Sequence, residues 1–159
     1  MNPHMQALAG LALFTLAACS SAPAIHEVRH PVDPVIDMLH RGILDLEENV
    51  DELNERIAEL QQLPPVPDPT VQELRALDLS GWQLHQQQWL VQRDRLFFAV
   101  HQIERAQAHP SLRPDLWAEW TARQQQFLTA LEDLRAQRHA LERKRLAVES
   151  QLLERYFKQ

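Results

Sequence analysis

The sequence predicts an all-α fold, an elongated three-helix antiparallel bundle or coiled coil. Three observations lead there. Apolar residues recur every seven positions in long rows, as in helices that pack along their length. Proline clusters within 64–69 and 110–114 interrupt those rows twice and leave three helical stretches. Beyond residue 18 the only glycines are Gly42 and Gly81, while leucine, alanine, glutamine, glutamate and arginine dominate.

The residues ahead of the helices are of another kind. Residues 7–16, Ala-Leu-Ala-Gly-Leu-Ala-Leu-Phe-Thr-Leu, form an apolar run as long as a signal peptide's hydrophobic region and well short of a membrane span. Its last residue opens Leu16-Ala17-Ala18-Cys19, which resembles the lipobox of bacterial lipoproteins. The resemblance implies a lipoprotein signal peptide over residues 1–18, cleavage ahead of Cys19 and lipid attachment to its thiol, with three acyl chains, palmitate among them. In the same family Ser20, rather than Asp, after the cysteine implies sorting to the outer membrane, with the body facing the periplasm. One acyl chain holds a protein only marginally, at roughly 0.8 kcal/mol per buried CH₂, so several chains make the anchor stable. Residues 19–32 lack apolar periodicity, carry Pro23 and Pro31, and read as a flexible tether. His26 and His30 stand four apart, but the two prolines bracket them and no acidic or cysteine partner completes a metal set.

The helical domain spans 33–159, and its first helix, about 34–63, is announced by Asp33-Pro34, a capping oxygen followed by proline in the first turn. Ile36, Ile43, Val50 and Ile57 recur at one heptad position and Leu39, Leu46, Leu53 and Leu60 at the other. Between two parallel chains this choice favours a dimer. The stripe therefore has two readings: a homodimer seam through these eight residues, or a face packed on the chain's own later helices. The flanking residues His40, Gly42, Glu47, Asn49, Asn54, Arg56 and Gln61 supply no set of opposite charges between two copies, which favours the internal reading. Leu63-Pro64-Pro65-Val66-Pro67-Asp68-Pro69 ends the helix and reads as a connection.

The second helix, about 70–107, opens on Asp68-Pro69 and on Thr70 to Glu73 at capping-box spacing. At 100° per residue, Val71, Trp82, Trp89, Leu96, Val100 and Ile103 form one apolar stripe. Leu77, Leu84, Val91 and Phe98 form another, nearly opposite. A helix with two such faces is the middle member of a bundle or a two-sided platform. Trp82 and Trp89 are accordingly core residues or candidate partner contacts.

After a short reversal, the third helix runs from about 114 to 157. Trp120, Phe127, Leu134, Leu141 and Val148 make one row; Trp117, Gln124, Leu131, Arg138, Arg145 and Leu152 make a second, interrupted by cations. Trp117 and Trp120 are expected to be structural. If the helices run up, down and up, Arg138 and Arg145 fall beside the acid run from Asp45 to Glu59 and lock the first helix onto the third. Otherwise they are candidate contacts for an acidic partner. At 1.5 Å per residue the helices would be roughly 45, 57 and 66 Å long, so the body is a rod.

The formal charge of −6, from 16 Lys plus Arg against 22 Asp plus Glu, argues against nucleic acid as a partner. No nucleophile elbow, P-loop, His-Glu-x-x-His or Cys-x-x-Cys occurs, so neither catalysis nor a cofactor or metal site is expected. Arg113-Pro114-Asp115-Leu116-Trp117, leading into a Gln- and Arg-rich helix, is similar to the later part of QseG-type lipoproteins, helical outer-membrane proteins that engage a sensor kinase. The resulting expectation is a lipid-anchored periplasmic adaptor or scaffold that binds another cell-envelope protein. Two alternatives stay open: a self-associating structural spacer of the envelope, and an inhibitor or immunity-type lipoprotein.

Overall fold

The computed structural model describes residues 33–158. The expected signal peptide, Cys19 and the expected tether lie outside the described residues. Within them the fold is all-α: α1 (Asp33–Gln62), α2 (Pro69–Ala108), a single 3₁₀ turn (Pro110–Leu112) and α3 (Arg113–Phe157). Each helix boundary falls within one residue of that expected from the proline clusters.

Local chemistry explains the helix starts. The Asp68 carboxylate accepts from the Thr70 N–H at 2.8 Å and the Val71 N–H at 3.3 Å, and Pro69 fills the first position, where a missing N–H costs nothing. The Thr70 N–H, chief among several causes, lowers the Asp68 carboxyl below its ordinary pKa. The expected capping box does not form: Thr70 is buried, and Glu73 pairs with Lys144 of α3 at 3.3 Å. Asp68 takes the cap because it directly precedes the helix. At α3, Pro114 sits in the first turn and Asp115 complements the dipole without any side-chain cap. The proline-rich connection lies along α2, with the Val66 N–H donating to Gln72 Oε1 at 3.2 Å and Arg75 Nη1 donating to the Pro64 carbonyl.

α1 and α3 both pack on α2 and not on each other; no Cα of α1 comes within 8 Å of one in α3. This corrects the expected lock between the first and third helices. The reason lies in α2, whose two apolar stripes point in widely separated directions. Leu96 meets Gly42 of α1, while Phe98 stacks on Trp120 of α3 at 5.8 Å and touches Phe127 at 6.2 Å. Each neighbour covers one stripe, and nothing draws the outer helices together.

The core is consequently two seams. Ile43, Leu46, Val50, Leu53 and Ile57 of α1 are buried, so the heptad stripe is spent inside the chain. In α3 the first row carries the burial, through Phe127, Leu134 and Val148. Trp117, in the second row, is 53% exposed, which overturns its expected structural role. That row lies at the edge of the seam: Gln124, Leu131 and Leu152 are partly covered, whereas Trp117, Arg138 and Arg145 are exposed.

The contacts also set levels. Asn54 bonds Gln86, and Arg138 bonds Gln88, so the Glu52 to Glu55 turn of α1 is level with the Arg135 to Arg138 turn of α3. Arg155 approaches Asp68 at 3.9 Å, which puts the end of α3 beside the start of α2. Asp33 is therefore at one end of the rod and Phe157 at the other, about 60 Å away by the length of α2.

Candidate functional site

A groove runs along the inner side of α2. At 100° per residue the α1-facing and α3-facing rows of α2 are separated by roughly 140°. The row Asp78, His85, Gln92, Ala99 and Ala106 runs between them, and none of its members is exposed. On the opposite side Gln87, Asp94, His101 and Ala108 are exposed. The three helices thus form a bent layer, hollow on the His85 side.

Trp82, Trp89, Arg138 and Arg145 converge on this groove. Trp82 and Trp89 are half-buried on its α1 side. His85 lies between them, parallel to Trp82 within 8° at 6.4 Å and tilted 60° onto Trp89 at 4.4 Å. Arg56 of α1 covers the Trp82 ring at 5.5 Å, a cation–π contact. On the α3 side Arg138 donates to Gln88 at 3.1 Å. Arg145 reaches Asp78 at 2.9 Å and Glu149 at 3.0 Å. Burial first, and then the Arg138 charge, push the His85 imidazole below its ordinary pKa, so it stands neutral at pH 7.

Towards α3 the seam turns polar. Arg95, lowered in pKa by burial, donates through Nε to Gln124 Oε1 at 2.8 Å and has no carboxylate partner among the described residues. Gln102 is 5% exposed, and neither its side-chain nitrogen nor its oxygen has a hydrogen-bond partner among the described residues. Buried amides with incomplete partners cost stability, and this layer favours one register of α2 on α3.

Sequence reasoning assigned no role to His85. The signal that finds it is its angular position, midway between two apolar stripes that each require a neighbour. It also passed over the outer face of α3's last turns. Leu146, Leu153, Tyr156 and Phe157 are 56, 54, 70 and 85% exposed, at spacings that place them along one side of the helix. Among the described residues no helix is long and apolar enough to cross a membrane. Comparison with protein-family models, with curated proteins and with solved structures finds no match to this chain.

Proposed function

We propose that the chain is a lipid-anchored periplasmic adaptor, held to the outer membrane through Cys19, that presents the end of α3 to another cell-envelope protein. One observation carries this reading: Asp33, where the tether would join, and the exposed Leu153, Tyr156 and Phe157 lie at opposite ends of the rod. An anchor at one end and an apolar helical face at the other suit a protein that reaches from a membrane to a partner. Leu146, Leu153 and Phe157 with Tyr156 make the spacing with which an amphipathic helix enters another protein's apolar groove. Contiguous exposed apolar side chains favour such an interaction surface over plain solvation.

The test has two arms. Cys19→Ser should release the protein from the outer membrane or leave it as precursor; membrane retention with unchanged mass removes the anchor from the reading. A photo-crosslinking residue in place of Tyr156 should give, in intact cells, an adduct to one envelope protein that Leu153→Asp abolishes. Adducts only between copies of this chain, or an adduct indifferent to Leu153→Asp, would remove the adaptor role.

A further inference from the structure

The groove between α1 and α3 leaves charges of opposite sign on its two rims. α1 contains nine acidic residues and two basic ones, and none of its acids joins an ion pair among the described residues. They crowd one another along the helix: Glu47 with Asp51, Glu48 with Glu52, and Glu55 with Glu59 are like charges four apart, an arrangement that destabilises an isolated helix. Residues 135–158, in and just past the second half of α3, hold seven basic and three acidic residues. Arg135, Arg138 and Arg143 form no ion pair among the described residues.

Placement makes the asymmetry usable. Arg56 contacts Trp82, on the groove side of α1, whereas Asn54 bonds Gln86 on the outer side. Asp45, Glu52 and Glu59 lie one helical step beyond Asn49 and Arg56 and so share the groove rim. Arg135 stands likewise one step beyond Arg138 on the facing rim. The Glu52–Glu55 and Arg135–Arg138 turns are level, yet within one chain no Cα of one helix comes within 8 Å of the other.

We propose that a second copy of this chain occupies the groove, the two copies facing each other about a two-fold axis parallel to the helices. That operation sets α1 of each chain against α3 of the other at unchanged level, so Glu52 and Glu59 of the acidic rim face the partner's Arg135 and Arg138. A two-fold axis across the helices would instead set acidic α1 against acidic α1, which like-charge repulsion disfavours. The His85 rows then face each other at the centre, and the partly buried Trp82 and Trp89 lose their remaining water. The seam differs from one through the first-helix heptads, since Ile43 to Ile57 are already buried on α2. It also goes beyond the adaptor reading and does not depend on lipid. The parallel pairing brings both Asp33 ends together, as two chains held in one membrane require.

The test uses the full chain extracted in mild detergent. Tagged Glu52→Cys and untagged Arg135→Cys variants, expressed together, should form a disulfide between differently tagged chains; wild type, which has Cys19 alone, should not. Arg135→Glu with Arg138→Glu should weaken self-association at least tenfold at unchanged helicity, and co-expression with Glu52→Lys and Glu59→Lys should restore it. The neutral pair Arg135→Gln with Arg138→Gln serves where charge reversal disturbs folding. A monomer in light scattering, the absence of the mixed disulfide, or charge variants that associate as wild type would each overturn the proposal. A heterologous helix crosslinked at Glu52 would do the same.

Discussion

Arg145 of α3 is held by Asp78 of α2 at 2.9 Å, although the acid run of α1 is the richer source of carboxylates. The middle helix intervenes, and α1 is out of reach. Both side chains are nearly half exposed, at 48% and 43% of their area, so screening keeps the pair weak. A double-mutant cycle of Asp78→Ala and Arg145→Ala should give a coupling of about 0.2–1 kcal/mol that shrinks in high salt. A coupling several times larger and indifferent to salt would mean that the groove is closed to water.

The α3 aromatics should separate sharply in chemical denaturation. Phe127 is 7% exposed against Phe98, and Phe127→Ala should cost about 3–5 kcal/mol. Trp117→Ala removes a side chain already half in water and should shift the midpoint little. Trp120→Ala should fall between, since Trp120 is partly buried and stacked on Phe98. Equal losses at Trp117 and Phe127 would indicate that α1 does close over α3.

That contrast marks how far the sequence could be read. Pro34, Pro69 and Pro114 act on their own turns through backbone sterics, so helix ends were legible to within a residue. The α1 heptads were equally plain, because one helix face needs one neighbour. Which helices touch depends instead on the angle between the two stripes of α2, and the drift of each stripe along the helix makes that angle hard to project. Trp117 was misplaced for this reason: its row is apolar enough to pack, but lies towards a helix that stays away. Arg138 and Arg145 were correctly singled out as cations in a seam and wrongly partnered, since charge patterning names the sign of a neighbour and not its address.

The two glycines test the seams independently. A methyl at Gly81 would meet Leu141 Cδ2 at 3.5 Å, ordinary contact, whereas one at Gly42 would meet Leu96 Cδ1 at 3.2 Å. Gly81→Ala should therefore stabilise by about 0.5–1 kcal/mol, the helix-propensity gain of alanine over glycine. Gly42→Ala should gain less, because the Leu96 methyl must give way by a few tenths of an ångström. Thermal melts decide it, and a drop in melting temperature for Gly81→Ala would place α3 closer to α2 than described.

His85 should make stability depend on pH in the range where carboxylates are silent. Its pKa in the fold lies below the ordinary value of 6.5, chiefly through burial between Trp82 and Trp89 and secondly through Arg138. The charged groups facing it are Arg138 from α3 and, across the Trp82 ring, Arg56 from α1. As pH falls through about 6.5 the unfolded chain takes up a proton that the folded chain refuses, so the unfolded state binds more protons and stability declines. Above that value the imidazole is neutral in both states and contributes no slope. Melting temperature should thus fall from pH 7.5 to 5.5 in wild type, and His85→Gln should flatten the change. Arg138→Gln should flatten it only in part, because burial is the larger cause. A His85→Gln profile parallel to wild type would assign the slope elsewhere and return His85 to solvent.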